Sequence, residues 1–400
     1  MSKAIRCALL FGCVMVAGQA RAELVDTAYP VGTTAGTWVV DRYAPAVFAS
    51  GGTVAGRSGV LNLGIAQADA DGTRPPAYSG AFYNTQGRGL SMDASAYSVI
   101  YGSLYIPAAW TMSTGAAENR RTDLWGMASP ATGGDTCTSS GCNHFPIIGF
   151  SNADTTTPIT AGGTGRYRVF DSQIGWQELN STPVQYDQWT DMCIAFNGTE
   201  LKSYINGTLA YTQSDLSHAD QATLGATTKF SRMIMQAYNF GSDYTAQWSS
   251  LGYGQLDSVS ALSGDGQTAN LGAAFANPLV VVAKDTSGAP LPCVPLTFAV
   301  PSGGASATLT TLTVFTDRLG TATVPATANS TAGTYAVTAA GPGLEGAASF
   351  SLTNQVAMVT PPTTPAAVSP VPTLNEWTLA VLSLLAALGG ALALSRRKQR

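Results

Sequence analysis

The last thirty residues constrain the chain most, because they read as a single membrane-crossing segment. Residues 378–394 are 17 residues without a charge, dominated by Leu, Ala and Val. At about 1.5 Å rise per residue they form a helix of roughly 26 Å, close to the ~30 Å hydrocarbon core of a bilayer. Lipid offers no hydrogen-bond partner to free backbone groups, so a single crossing segment must be helical. The alternative, a buried core helix, is disfavoured by the lack of a polar face.

Residues on both sides of the apolar stretch fit a membrane span. Trp377 precedes it, where an interfacial aromatic residue is typical. A basic cluster follows it and predicts a cytoplasmic end by the positive-inside rule. The cluster consists of Arg396, Arg397, Lys398 and Arg400. We therefore predict a transmembrane helix over residues 378–394 that stops at this cluster.

The residues just before the span form a specific pattern, V-P-T-L-N-E-W. Its members are Val371, Pro372, Thr373, Leu374, Asn375, Glu376 and Trp377. Together with the span and the basic cluster, they closely resemble the IPTL-CTERM sorting signal of Gram-negative bacteria, with Val371 where that family usually has Ile. The resemblance covers residues 371–400 alone. It implies an exosortase-like sorting protease as partner, a transient stay in the inner membrane, and a final place in the membrane or on the outer surface.

The other end of the chain predicts export across the inner membrane. Residues 1–22 read as a signal peptide, with Lys3 and Arg6 before an apolar stretch and Ala20-Arg21-Ala22 as the cleavage pattern. A lipoprotein signal ending at Cys13 is the alternative, but it needs a smaller residue than Phe11.

Four cysteines remain after the signal peptide, and export permits disulfides. Cys137 and Cys142 enclose a short polar loop, which predicts a local bridge between them. Cys193 and Cys293 lie in apolar, strand-like surroundings in different candidate domains, so we interpret them as buried free thiols. The chain has only two His and no paired Cys-x-x-Cys, which predicts no metal site of the zinc type.

Composition predicts an all-β protein. Charged residues make up only 11% of the chain, and Gly, Thr, Ser and Ala are abundant. This balance suits extracellular β domains with many turns rather than a helical enzyme. The net charge of −4 offers no basic stripe, so nucleic acid is not an expected partner.

Residues 23–257 predict strands throughout. Alternating or β-branched stretches lie at 97–106, 189–196 and 229–238, and Asn206-Gly207 predicts a hairpin turn within 201–211. The stretch at 188–207 reads QWTDMCIAFNGTELKSYING. It looks like the penultimate hairpins of concanavalin A-like and laminin-G-like jelly rolls, a resemblance that implies a lectin-type sandwich.

Residues 258–354 have a different character, rich in Ala, Thr, Val and Gly with short, regular strands. We predict strands at 278–284, 294–300, 307–315, 321–324, 333–339 and 347–352. Stretches such as 289–298 and 316–322 resemble the bacterial Ig-like repeat of invasin-type and intimin-type surface proteins, which implies a rigid spacer. Residues 355–370 carry four prolines and predict an extended linker. The predicted fold is a jelly roll, an Ig-like sandwich and one transmembrane helix.

Ligand-binding candidates come from aromatic and polar residues of the first domain. Trp125, Trp176 and Asp171 stand in contexts that suit sugar contacts. Asp69-Ala70-Asp71-Gly72 resembles part of a calcium loop, although an ordinary Asp-Gly turn is the simpler interpretation. No other cofactor is expected.

The sequence predicts binding rather than catalysis. The Glu-x-Asp-x-x-Glu strand of related endoglucanases is missing, and Glu178 is the one carboxylate worth testing. With two His and no Gly-x-Ser-x-Gly, a serine triad is not expected. We therefore expect an exported surface protein that binds glycan or another surface polymer, for example in adhesion. The alternatives are a structural exported component without a ligand site and a polysaccharide-active enzyme on the jelly roll.

Overall fold

Strands account for nearly all regular structure in the computed structural model. It describes residues 24–25, 30–31, 34–35, 37–94, 98–129, 144–154, 162–197, 200–216, 229–357 and 376–397. The predicted signal peptide, the predicted Cys137–Cys142 bridge and most of the predicted linker lie outside these residues. Residues 1–355 form one compact unit, and residues 356–400 form a second.

The first sheet of the large unit has seven antiparallel strands. In spatial order they are β14 (Gly175–Glu178), β13 (Gly162–Asp171), β12 (Ile147–Ala153), β11 (Arg121–Ser129), β18 (Lys229–Tyr238), β9 (Thr85–Ala94) and β4 (Trp38–Arg42).

The second sheet has ten strands. Eight follow one path: β1 (Leu24–Val25), β5 (Val47–Ser50), β8 (Leu61–Ile65), β19 (Tyr244–Ser263), β10 (Ser98–Ile106), β15 (Gln188–Phe196), β16 (Leu201–Ile205) and β17 (Thr208–Gln213). The far half of β19 extends this sheet through β21 (Leu279–Asp285) and β25 (Thr321–Val324).

These two sheets pack face to face around one large hydrophobic cluster. The cluster takes Leu124, Phe150 and Met235 from the seven-stranded sheet and Ile100, Ile194 and other residues from the ten-stranded sheet. The chain crosses between the sheets at each step from β8 to β11 and again from β17 to β19. This is the two-sheet sandwich that the sequence predicts, and it is confirmed. The strand predicted at 229–238 is β18, residue for residue.

The Asn206-Gly207 turn is also confirmed. It joins β16 to β17, and φ is 49° at Asn206 and 73° at Gly207. Two consecutive residues with positive φ are what a type I′ hairpin turn requires.

A second, smaller sandwich follows. Its outer sheet contains β20 (Gln267–Asn270), β28 (Ala347–Gln355), β27 (Gly333–Ala340), β22 (Pro295–Ala299) and β24 (Thr313–Phe315). That sheet packs on β21 and β25 around Phe298, Val337 and Phe350. Five of the six predicted strands match these elements, whereas the one predicted at 307–315 is two strands in different sheets, because the chain leaves one sheet after Leu309 and enters another at Thr313.

Short strand pairs and turns complete the large unit. The pairs are β2 (Pro30–Val31) with β3 (Thr34–Ala35), β6 (Thr53–Val54) with β7 (Arg57–Ser58), and β23 (Ala307–Leu309) with β26 (Ala326–Ala328). The 3-10 turns are Gln67–Asp69, Pro76–Tyr78, Ala81–Asn84, Ala108–Trp110 and Ala116–Glu118.

The hydrophobic cluster of the small sandwich extends onto the ten-stranded sheet, and the predicted boundary at residue 257 falls within a strand. Strand β19 runs through that position without a break. Val99, Ala195 and Tyr204, on the side of the ten-stranded sheet that faces away from the first core, belong to the hydrophobic cluster of the small sandwich. These central strands are therefore covered on both faces.

The interpretation of Cys193 and Cys293 as free thiols is wrong. Their sulfur atoms form a disulfide, with the two Cα atoms 6.3 Å apart. Both cysteines belong to the cluster that joins the sandwiches. The bond therefore crosslinks β15 to the small sandwich at the point where the two pack together.

The second unit contains one helix, α1 (Glu376–Arg397). Within it, Glu376–Leu394 has a mean hydropathy of 2.0 and is long and apolar enough to cross a membrane. Leu, Val and Ala side chains are exposed all around it. An isolated helix that is apolar on every side fits lipid better than water, in agreement with the predicted span at 378–394.

Candidate functional site

The seven-stranded sheet turns one face to the core and the other away from it. Along β11, for example, Leu124 belongs to the core cluster, so its neighbours Asp123 and Trp125 project to the opposite side. We call this opposite side the outer face. Strand register arranges its residues into rows that run across the strands.

An apolar row crosses all seven strands. Its members are Val39, Gly89, Ile234, Trp125, Ile147, Phe170 and Trp176. Trp125, Ile147 and Ile234 form a hydrophobic cluster of their own, with Phe170 and Trp176 against it. Trp125, Ile147 and Ile234 are at most 6% exposed, so a ligand can reach this strip at its half-buried aromatic end, Phe170 and Trp176.

A polar row lies beside it, two residues further along each strand. Its members are Asp41, Gly87, Gln236, Asp123, Gly149, Arg168 and Glu178. Arg121 and Arg166 lie in the next row and pair with two of its carboxylates: Arg121 Nε is 2.8 Å from Asp123 Oδ2, and Arg166 Nε contacts Glu178 Oε2.

Arginines also lie against the aromatic residues of this face. The Arg168 guanidinium is 3.5 Å from the centroid of the Trp176 ring, and that of Arg121 is 4.5 Å from it. Arg42 lies 4.8 Å from the centroid of Trp125 and 4.5 Å from that of Phe82. Arg42 has φ of 59°, a conformation that a non-glycine residue rarely adopts and that brings its side chain over Trp125.

Burial perturbs the ionisation of these groups. Burial lowers the pKa of Arg168 to about 9, and the neighbouring Arg121 adds to the effect, while Asp123 and Glu178 oppose it. Burial also raises the pKa of Asp41, although Arg232 and Arg42 pull it down. Cations and carboxylates are therefore held away from bulk water on this face.

Three glycines of the outer face make room for these long side chains. A Cβ on Gly89 would lie 2.2 Å from Arg232 Nε, and one on Gly149 would lie 2.3 Å from Asp123 Oδ1. A Cβ on Gly87 would collide with Gln236. The polar side chains thus lie flat across neighbouring strands, which builds a layer of charge directly on the sheet.

Several buried polar atoms of this layer have no hydrogen-bond partner within the described part of the chain. They are Asp123 Oδ1, Trp125 Nε1, Arg168 Nε, Arg232 Nε and Gln236 Oε1. Each unsatisfied buried group costs about 1–3 kcal/mol, and such groups are rare in folded proteins. Because these donors and acceptors are concentrated on the outer face, this face can form further hydrogen bonds with a polar ligand.

The structure brings two of the three predicted ligand residues together and places the third elsewhere. Trp125 and Trp176 both lie in the apolar row, so the structure brings them onto one surface. Asp171 ends β13, where Oδ1 accepts hydrogen bonds from the backbone N–H groups of Gln173 and Ile174, and Oδ2 accepts one from the Tyr211 hydroxyl at 2.7 Å. This geometry favours a turn-forming role for Asp171, and a ligand role for it stays a prediction.

Sequence reasoning missed the arginines. A signal was present in the alternation of Arg121-Thr122-Asp123-Leu124-Trp125 and of Arg166 to Phe170, which place charged residues opposite core residues. The alternation does not show which strands pair or in which register, so it could not place these arginines next to each other.

The Asp69-Ala70-Asp71-Gly72 stretch, which resembles part of a calcium loop, has an arginine beside its second aspartate. Asp71 Oδ1 accepts hydrogen bonds from the backbone N–H groups of Gly72 and Gly80 and lies 3.3 Å from Arg74 Nη2. Across the described ranges, no group of three or more His, Cys, Asp or Glu is placed to hold a metal.

The polar row also bears on glycosidase chemistry. Along the row, Asp41 and Glu178 each lie three strands from Asp123, which is roughly 14 Å between Cα atoms at about 4.8 Å per strand. A glycosidase needs its two carboxyl groups within about 5 to 9.5 Å. Gln236 lies between Asp41 and Asp123, and Arg168 lies between Asp123 and Glu178. The row therefore brings no two carboxylates side by side.

The sorting residues lie partly within the second unit. Glu376 begins α1 and Trp377 is 80% exposed, whereas Val371, Pro372, Thr373 and Leu374 lie outside the described residues. Arg396 and Arg397 lie in the last turn of α1, and Lys398 and Arg400 lie beyond the described residues.

Comparison with known proteins gives one sequence match. A profile of the IPTL-CTERM motif matches residues 369–397. No curated protein matches the chain. The chain thus carries a C-terminal sorting motif and an apolar helix, which imply an exported surface protein that exosortase-like machinery processes.

Solved structures that match this chain do so at low identity and low TM-score. A β-glucanase of Bacillus licheniformis is 13% identical over 55% of this chain and 90% of that chain, with a TM-score of 0.27. The alginate lyase AlyA1 of Zobellia galactanivorans is 10% identical over 57% and 98%, with a TM-score of 0.33. The carbohydrate-binding module CBM66 of Bacillus subtilis is 9% identical over 55% and 91%, with a TM-score of 0.23.

Proposed function

We propose that this exported protein displays a glycan-binding surface, formed by the outer face of its seven-stranded sheet, outside a Gram-negative cell. The observation that carries the proposal is the pairing of an aromatic row with a row of buried, unsatisfied polar atoms on that face. Sugar rings stack on aromatic side chains through their C–H faces and hydrogen-bond through their hydroxyls, so they need both kinds of group side by side.

Trp176 offers the sharpest test. We expect Trp176→Ala in the full, detergent-solubilised chain to weaken glycan binding about fivefold, because the ring supplies stacking area at the end of the apolar row. A glycan array first identifies a ligand, and titration calorimetry then gives the dissociation constants. Trp189→Ala is the matched control: Trp189 is also half-buried beside an arginine, Arg57 at 4.6 Å, but lies on β15 of the other sheet.

The outcomes separate the alternatives. Absence of binding to any glycan would leave the structural-component interpretation standing. Equal losses from Trp176→Ala and Trp189→Ala would place the ligand elsewhere on the chain.

Binding without hydrolysis is part of the proposal, and the separation of the three carboxylates supports it. Glu178, the candidate singled out by sequence, is engaged by Arg166. Release of reducing ends from a bound polysaccharide, abolished by Glu178→Gln, would contradict a purely binding role and favour the enzymatic alternative.

The tail has its own expected result. Replacing residues 371–377 by a Gly/Ser stretch should abolish tail cleavage and surface display, because the sorting protease then lacks its recognition pattern while α1 still holds the chain in the inner membrane. Immunoblots of fractionated cells and protease accessibility of whole cells measure both effects. The same replacement at residues 359–365 is the control and should be processed normally. Normal processing of the first variant would make the V-P-T-L-N-E-W pattern incidental.

In this proposal, the small sandwich (residues 258–354) is an Ig-like spacer between the binding sandwich and the tail, and it supports the binding sandwich rigidly. Its packing onto Val99, Ala195 and Tyr204 supports a rigid connection. Small-angle scattering that fits one compact particle for residues 1–355 would agree with a brace. Two lobes moving independently would argue against it.

A further inference from the structure

Arg168 differs from the other arginines of the outer face. Asp41 lies 3.9 Å from Arg42 and from Arg232, Asp123 lies 2.8 Å from Arg121, and Glu178 contacts Arg166. Within the described part of the chain, Arg168 has no ion-pair partner within 4 Å, and its Nε has no hydrogen-bond acceptor. It is 3% exposed, so water does not compensate for this lack.

The outer face also carries more positive than negative side chains. Five arginines (Arg42, Arg121, Arg166, Arg168 and Arg232) face three carboxylates (Asp41, Asp123 and Glu178), in a chain whose net charge is −4. The excess positive charge lies around Arg168, next to Arg121. Arg121 is paired with Asp123 and Arg168 has no carboxylate of its own, so the two neighbouring guanidinium groups repel each other and a further anion between them relieves that repulsion.

We infer that the outer face binds an anionic polysaccharide, with the acidic group of one sugar held between Arg168 and Arg121 beside Trp176. The inference rests on the proposed function and names its ligand class. A planar guanidinium binds a carboxylate or a sulfate through two parallel hydrogen bonds, and Arg168 Nε has no acceptor within the described part of the chain. The low pKa of Arg168 agrees with a buried cation that lacks its counter-ion.

The Trp176 ring must move for this contact to form. It covers the Arg168 guanidinium at 3.5 Å and sits on β14, the four-residue strand at the edge of the sheet. An incoming acidic group exchanges a cation–π contact for a charge-assisted hydrogen-bonded pair, which is the stronger interaction. Binding should therefore change the fluorescence of Trp176, and Trp176→Phe should remove that change.

Paired polymers that differ only in charge test the inference on the wild-type full chain. Polygalacturonate is compared with its methyl ester, and dextran sulfate with dextran. We expect the charged member of at least one pair to bind about tenfold or more tightly than the neutral member, and its affinity to fall as salt rises from 0.05 to 0.5 M as general ionic screening requires. The pair that discriminates tells carboxylate from sulfate.

Arg168→Gln removes the charge and keeps most of the side-chain volume. It should lower the affinity for the charged polymer by about tenfold or more, because the bidentate contact is lost, with little effect on the neutral one. Arg168→Lys should recover only part of this affinity, since an ammonium cannot form the bidentate contact. Arg318→Gln, at an exposed site on the small sandwich, is the matched control and should bind like the wild type.

The two proposals fail in different ways. Equal binding of charged and neutral polymers that still depends on Trp176 would overturn the anionic class and leave glycan binding intact. Loss of all glycan binding would overturn both. Tight binding of single-stranded DNA or RNA oligonucleotides that depends on Arg168, without binding of acidic polysaccharide, would replace the polysaccharide by a phosphodiester polymer. Should Arg168→Gln fail to fold, the comparison of paired polymers on the wild type decides alone.

Discussion

Replacing Cys193 and Cys293 together by alanine should lower the free energy of unfolding of the large unit by about 4–5 kcal/mol. The two cysteines are 100 residues apart in sequence, and closing a loop of that length in the unfolded chain accounts for a loss of this size. Guanidinium denaturation followed by circular dichroism measures the effect as a lower midpoint.

Single variants sharpen this prediction. Cys193→Ala and Cys293→Ala each break the same bond, so each should cost nearly as much as the double variant, rather than half of it. Reduced wild-type protein should unfold at a similar midpoint and provides the control without any substitution. Equal midpoints for oxidised, reduced and double-alanine protein would show that the crosslink adds nothing to stability.

The disulfide also shows where sequence reasoning reached its limit. Local patterns predicted the strand around Cys193 and placed Cys293 directly before another, because strand and turn signals depend on near neighbours. The same patterns assigned the two cysteines to separate domains, and residues of separate domains are not expected to form a disulfide. Only the packing of β15 against the small sandwich, with Tyr204 and Phe315 rings 4.5 Å apart, brings the sulfurs together.

The outer face, like the disulfide, is formed by residues that are far apart in sequence. Asp41 and Gln236 hydrogen-bond across 195 residues of sequence, and the polar row draws on strands from β4 to β18. Sequence identified Trp125 and Trp176 as aromatic candidates but gave no means of placing them in one row. By contrast, the Asn206-Gly207 turn, β18 and the apolar helix near the C-terminus are local features, and the sequence predicts each of them correctly.

Substitution of Arg74 should have the second largest effect. Its buried guanidinium donates hydrogen bonds to four backbone carbonyls, and Asp71 lies 3.3 Å away. The acceptors are Tyr78 O at 2.9 Å, Asp69 O at 3.1 Å, Gly80 O at 3.1 Å and Tyr83 O at 3.2 Å. Arg74→Ala should cost about 3 kcal/mol, because it leaves four backbone carbonyls without the buried donor that ties them together.

The consequence of this change should reach the outer face. The loop of residues 66–84 carries Phe82, whose ring lies 4.5 Å from the Arg42 guanidinium over Trp125. Faster hydrogen exchange in residues 66–84, together with a lower denaturation midpoint, is the expected result. Arg74→Lys should recover part of the loss, since an ammonium reaches fewer of the four carbonyls, and Arg318→Ala should leave both measurements unchanged.

Calcium provides the decisive control for this loop. With Arg74 occupying its centre, added Ca²⁺ should not raise the denaturation midpoint of the wild-type chain, because Asp71 is already satisfied by Arg74 and by the backbone of Gly72 and Gly80. A rise of several degrees on adding millimolar Ca²⁺, or rescue of Arg74→Ala by it, would instead make Asp69 and Asp71 part of a calcium site and reduce Arg74 to a secondary support.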